Sequence, residues 1–172
     1  SDSNFLAGLS YYSQRSQEIF QIWRDVFRSS SARLLFVLGS IFDRPQVTNY
    51  LLSSLKKCED ISAVAVAPYF GRSLGSPETQ HKRIGWKVSD VLGACQKEIL
   101  RHRLLIRRHA EIASGFGVDL FAYEGGQHLV PYGDAQGCEQ LVGLFHKVNR
   151  HPAMAKLYFD YLSGWRETGG KL

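Results

Sequence analysis

Two periodicities alternate along the chain. Leu9, Tyr12, Ser16, Ile19, Trp23 and Val26 recur every three or four positions, with Phe20 and Phe27 beside them. That spacing predicts a long amphipathic helix with these residues inward, ending at the Ser29-Ser30-Ser31 loop. The pattern then changes to a continuous apolar run from Arg33 to Ile41, closed by Gly39 and Ser40, which suits a strand buried on both faces. Pro45 opens a helix with Val47, Tyr50, Leu51 and Leu55 on one side. A second buried strand runs from Ile61 to Ala67, rich in small and β-branched residues, and Pro68-Tyr-Phe-Gly71 terminates it. The segment from Gly71 to about Lys87 reads as a long loop, the kind that carries function. From about Ser89 to Ala113 the helical period returns, with Val88, Val91, Leu92, Cys95, Ile99 and Ile106 on one stripe and Gly115 and Gly117 as the stop. Val118 to Tyr123 is the third strand and Glu124-Gly-Gly-Gln-His128 its exit loop. Leu141, Leu144, Phe145 and Val148 mark a further helix, and Pro152 starts a last one through Met154, Leu157, Tyr161 and Trp165.

The resulting order is helix, strand, helix, strand, helix, strand, helix, helix. Successive right-handed βαβ crossovers make a parallel sheet covered by helices, so the class is α/β and residues 1–172 read as one domain. An open doubly wound sheet and a slice of a (β/α)8 barrel both satisfy the pattern. A complete barrel takes about 250 residues, whereas this sequence has 172 and shows three convincing strands.

Composition adds few constraints. The 44% hydrophobic content supports a real core. Cys58, Cys95 and Cys138 lie far apart without CxxC spacing and read as core thiols. No apolar run reaches the roughly 18 to 20 residues of a membrane span, and Ser-Asp-Ser-Asn at the start lacks the charged and apolar regions of a signal peptide. The expectation is a soluble mature chain with no membrane partner, secreted if a signal peptide has been removed. The formal charge of +5 concentrates between Lys97 and His109. There it alternates with Ile99, Leu100, Leu104, Leu105 and Ile106, as on a helix whose basic side faces water. Nucleic-acid binding through Arg101, Arg103, Arg107 and Arg108 would need a recognition motif, and none is present.

Ligands of parallel α/β proteins bind at the carboxyl ends of the strands. These ends are Gly39-Ser40, Pro68-Tyr69-Phe70-Gly71 and Tyr123-Glu124-Gly125-Gly126-Gln127-His128. A carboxylate directly after an apolar strand needs partners or a chemical role, which singles out Glu124. The two glycines permit a sharp turn and close approach of a ligand, and Gln127 and His128 add polar groups. Tyr69 offers a phenol and Phe70 an apolar ring to the same cleft, while Trp86 lies in or beside the long loop. Trp23 and Trp165 sit on helical stripes and read as core. Gly71-Arg-Ser-Leu-Gly75 lacks the spacing of a phosphate loop, Ser40 has no nucleophile elbow, and the six histidines form no HExxH or similar pair. No cofactor and no metal are expected.

Tyr12-Ser-Gln-Arg-Ser-Gln-Glu-Ile-Phe-Gln-Ile-Trp23, Arg33-Leu-Leu-Phe-Val-Leu, Ala65-Val-Ala-Pro-Tyr-Phe-Gly71, Ala122-Tyr-Glu-Gly-Gly-Gln-His-Leu129 and Asn149-Arg-His-Pro-Ala-Met154 together resemble the second half of TIM-barrel proteins related to clan A glycoside hydrolases. The resemblance covers nearly the whole chain and is sharpest at Tyr-Glu-Gly-Gly-Gln-His-Leu. It implies that Arg33–Ser40, Ile61–Ala67 and Val118–Tyr123 are strands five, six and seven. The helix Leu6–Phe27 would follow strand four, and strand eight would begin at Gly169-Gly-Lys-Leu172. It also implies that Glu124 is the catalytic nucleophile and that Tyr69 hydrogen-bonds and orients it. Ser40, Phe70, Trp86, Gln127 and His128 would contact substrate.

The clan's general acid/base is the Glu of an Asn-Glu pair after strand four, and this chain contains no Asn-Glu dipeptide. Retaining chemistry uses two carboxyl groups about 5 to 5.5 Å apart, of which this chain supplies one; Asp43, beyond the first strand, is a weak substitute. The leading expectation is therefore a glycoside-hydrolase-like partial barrel acting on or binding a carbohydrate. The alternative is a non-catalytic carbohydrate-binding or self-assembling half-barrel module, whose open strand edges pair with a second copy or with the missing amino-terminal half.

Overall fold

The computed structural model describes residues 2–55, 61–80 and 85–171; Cys58 lies outside them. The chain is a mixed α/β protein with parallel strands in two small sheets and long helices. It divides into two compact units, one comprising Ser1–Ala67, Leu105–Tyr123 and Gly169–Leu172, the other Pro68–Leu104 and Glu124–Thr168.

The first unit opens with helix α1, Asp2–Phe27, and a 3₁₀ segment, Arg28–Arg33. Strand β1, Val37–Gly39, leads into helix α2, Pro45–Ser53, and then β2, Ala63–Val66. Each expected strand is present but shorter than its apolar run. β2 is the centre of a three-stranded parallel sheet, with β1 on one side and β4, Asp119–Ala122, on the other. Its four residues are all at most 2% exposed, which explains their small and β-branched character. The register aligns Leu38, Val64 and Leu120, which, with Val66, make one face fully buried. The aligned row Val37, Ala63 and Asp119 forms the other, and Val37 is 36% exposed there. Beside β4 the chain comes back: Lys171 N–H donates to Leu120 O at 2.8 Å, and Lys171 Nζ pairs with Asp119 Oδ1 at 2.7 Å.

Helix α1 follows the expected stripe at Ser16 and departs from it at Tyr12, Ile19, Trp23 and Val26, which are exposed. Its buried residues are Ser13 and Ser16, whereas Trp23 is 49% exposed and Ile22 and Val26 are more exposed still. Small residues allow close helix approach: Ser13 Oγ donates to Leu51 O in α2 at 3.4 Å and accepts from Ser54 Oγ at 2.9 Å. The Trp23 ring lies tilted against Phe27 on its own helix, centroids 5.5 Å apart, and is not a core residue.

The second unit begins as β2 passes through Ala67-Pro68 into a short strand β3, Tyr69–Phe70. After a 3₁₀ turn, Arg72–Gly75, and the one-turn helix α3, Pro77–Gln80, comes α4, Val88–Gly115, whose first half belongs to this unit and second half to the other. β5, Gly126–Gln127, pairs with β3 in parallel, Tyr69 opposite Gly126 and Phe70 opposite Gln127. Helices α5, Glu139–Asn149, and α6, Ala153–Glu167, complete the unit. Phe70, Val91, Cys95, Ile99, Leu129, Phe145, Val148, Met154, Leu157 and Tyr161 form its core, and Trp165 is buried as expected.

The buried positions of α4 are Val91, Cys95, Ile99, His102, Ile106, His109 and Ala113. Two histidines thus complete the apolar stripe, while Leu100 and Leu104 face solvent. Arg101, Arg107 and Arg108 are exposed, and Arg103 bonds Glu167 at 3.3 Å. No helix among the described residues is long and apolar enough to cross a membrane.

Candidate functional site

The Glu124 turn is built from its glycines outward. Gly126 has φ +103°, a left-handed value that favours a residue without Cβ. A Cβ there would lie 2.5 Å from the Tyr158 hydroxyl, and one at Gly125 would run into the Tyr161 hydroxyl. Both phenols project from α6 and hold the turn: Gly126 N–H donates to Tyr161 Oη and Gln127 N–H to Tyr158 Oη, each at 3.2 Å. The Tyr158 hydroxyl in turn donates to Gln127 Oε1. Burial pushes the Tyr161 phenol up to about 12, so that phenol is neutral at ordinary pH.

The neighbouring strand is fixed in a similar way. Gly71, at φ +82°, donates its N–H to Glu98 Oε2 at 2.8 Å, and Glu98 is within 3.8 Å of His102 Nε2. Cys95, pushed up to about 12 chiefly by burial and then by Glu98, is an inert core thiol. His128 N–H donates to Phe70 O at 2.7 Å, extending the β3–β5 pairing by one bond.

The second unit brings Tyr69, Phe70, Gln127 and His128 together. The Tyr69 and His128 rings meet edge to face at 5.4 Å. His128 Nδ1 is buried without a hydrogen-bond partner among the described residues, an open polar position beside the Tyr69 ring. Glu124 is exposed and makes no hydrogen bond or ion pair with another described residue. No Tyr69–Glu124 hydrogen bond is formed, because Glu124 has no such partner. Phe70 is 0% exposed, its ring packed 5.3 Å from Tyr161 and 5.8 Å from Tyr158. It supports the turn from the core and does not line a cleft, since a planar apolar ring gains more by packing between two phenols than by facing water. Trp86 is half-buried against the same core at the head of α4.

Ser40, in the other unit, is 9% exposed and begins a buried chain. Its hydroxyl lies 2.6 Å from Thr48 Oγ1, which lies 2.8 Å from His109 Nδ1, and His109 Nε2 lies 2.9 Å from Phe42 O. A carbonyl only accepts, so Nε2 carries the proton and Nδ1 accepts from Thr48, whose oxygen then accepts from Ser40. Burial lowers the His109 pKa and keeps the ring neutral, which matches this direction of donation. Asp43 is exposed beyond β1.

Tyr158, Tyr161, Glu98 and His109 were not singled out as site-forming by sequence reasoning. A signal for the two tyrosines was present: consecutive glycines imply that something approaches closely, and a Tyr pair at i, i+3 shares a helix face. Compared with protein families, characterised proteins and solved structures, the chain shows no match.

Proposed function

We propose that the chain is the carboxyl-terminal part of a carbohydrate-active partial barrel, with Glu124 in the position of a glycosidase nucleophile. The observation that carries this reading is Glu124 itself. It is an exposed carboxylate, unpartnered among the described residues, at the end of a parallel strand, on a backbone turn clamped by Tyr158 and Tyr161. A carboxylate that the protein neither buries nor neutralises is free to act on a ligand. The sheet order β1-β2-β4 and the Lys171–Leu120 bond beside β4 agree with consecutive barrel strands followed by the start of another.

In the proposed step a Glu124 carboxylate oxygen attacks the anomeric carbon. The C–O bond to Glu124 forms as the bond to the leaving oxygen breaks, and water later releases the sugar. With the proton donor absent from this chain, only a leaving group that departs as a stable anion is expected to react. The test is hydrolysis of dinitrophenyl glycosides by the chain and by Glu124→Gln. The expected loss is two orders of magnitude or more, about the effect of removing one positioned catalytic group; equal rates overturn the assignment.

A second reading, an association module, is favoured by α1 and β1. Ile22, Val26 and Leu35 are 55–69% exposed, and the outer Gly39 N–H donates to Tyr12 Oη at 2.9 Å. Light scattering decides it: concentration-dependent dimers support it and a monomer at high concentration removes it.

A further inference from the structure

A cavity lies on the outer face of α4, formed by none of the residues of the Glu124 turn. Trp86, Ser89, Asp90, Gly93, Ala94 and Lys97 line it, and its volume is about 430 Å³, within the usual range of small-ligand sites. The spacing of these residues puts them along one side of the first three turns of the helix. One part of the Trp86 ring is anchored in the core, while the remainder forms a wall of the cavity. Gly93 and Ala94 give a floor almost free of side chains, and a Cβ at Gly93 would meet nothing within 4 Å.

The polar groups around this floor differ in sign and geometry. Asp90 Oδ2 accepts Lys87 N–H at 2.7 Å, which fixes the carboxylate and leaves Oδ1 without a partner among the described residues. The Lys97 ammonium, one helical turn beyond Gly93, is exposed and unpaired among the described residues. An aromatic wall, a fixed acceptor, a mobile donor and the Ser89 hydroxyl around a flat floor match a ring with an apolar C–H face and several hydroxyls at its edge. A strongly anionic ligand would face Asp90, and a cationic one Lys97, so a neutral ring suits both.

We propose that this cavity binds a neutral pyranose unit, with the sugar's C–H face on Trp86 and its hydroxyls shared between Asp90 and Lys97. The proposal rests on the cavity's own chemistry and survives if Glu124 is inert. It is tested by isothermal titration of the full chain with neutral tetrasaccharides of gluco, manno and galacto configuration. Binding is compared in the wild type, Gly93→Leu, Trp86→Ala and Glu124→Gln. Gly93→Leu puts a side chain over the floor, its Cβ meets nothing within 4 Å, and it replaces a weak helix former by a strong one; a circular-dichroism melt equal to that of the wild type checks its folding.

At least one tetrasaccharide is expected to bind the wild type and Glu124→Gln alike, and to bind Gly93→Leu and Trp86→Ala about tenfold or more weakly. No binding by any of the three, or binding unchanged in Gly93→Leu, overturns the proposal. Binding that is lost in Glu124→Gln but kept in Gly93→Leu also overturns it and locates the sugar at the Glu124 turn.

Discussion

Ser40 and Glu124 both follow parallel strands of the same sheet, yet their surroundings treat them oppositely. Ser40 is buried and its hydroxyl is consumed by Thr48, His109 and the Phe42 carbonyl. Glu124 stands exposed without a partner among the described residues, while the backbone after it is held by two phenols. The first arrangement satisfies a polar side chain internally and ties β1, α2 and the end of α4 together. The second invests its hydrogen bonds in the main chain and leaves the side chain available. A polar residue at a strand end therefore points to function when its scaffold is rigid and its own functional group is left over.

The contrast predicts opposite mutational behaviour. His109→Ala should have the largest effect, about 3 kcal/mol of stability in denaturant unfolding, because it opens a cavity and removes the acceptor of the Thr48 hydroxyl and a donor to the Phe42 carbonyl. If His109→Ala unfolds like the wild type, the chain of bonds is not structural. The same ring makes stability pH-dependent. Its folded pKa lies below the unfolded value of about 6.5. The contribution is therefore complete above about 6.5 and is lost as pH falls from there through the folded value. Unfolding measured at descending pH should show this loss, and His109→Gln should flatten it.

Gly126→Ala comes next, at about 2 kcal/mol, from the strain of φ +103° and the encounter with Tyr158. Tyr161→Phe should cost about 1 kcal/mol by removing the Gly126 acceptor. At high pH the wild type should lose stability as pH rises from about 10, the unfolded tyrosine value, through about 12, because the folded phenol holds its proton more tightly. Tyr161→Phe removes that share of the alkaline loss. The smallest stability change belongs to Glu124→Gln, within about 0.5 kcal/mol, as for an exposed side chain without partners. A large destabilisation there would show that Glu124 is structural and would erase the contrast with Ser40.

Much of this was legible in the chain itself. Three continuous apolar runs marked the three main strands, because a strand covered on both faces has little use for polar residues. Glu124 stood out for the same reason, as a charge at the end of such a run. What escaped was set by close approach and internal pairing. On α1 the periodicity of large residues puts Trp23 inward, whereas Trp23 is half exposed and the interface with α2 selects the small Ser13. His102 and His109 fall outside the apolar stripe that the large aliphatic residues mark, although Cys95, Ile99, His102, Ile106, His109 and Ala113 keep one continuous four-three spacing. The β3–β5 pairing is two residues long on each strand, too short to leave a period in the sequence.

We propose that Glu124 is a nucleophile held ready by its turn. The most direct measurement is intact-protein mass after incubation with a dinitrophenyl 2-deoxy-2-fluoro-glycoside, in which the slow second step lets a covalent sugar accumulate. The account predicts a single glycosyl adduct that fragmentation places on Glu124 and that Glu124→Gln lacks. An unlabelled wild-type chain, or an adduct on another residue that persists in Glu124→Gln, would contradict it.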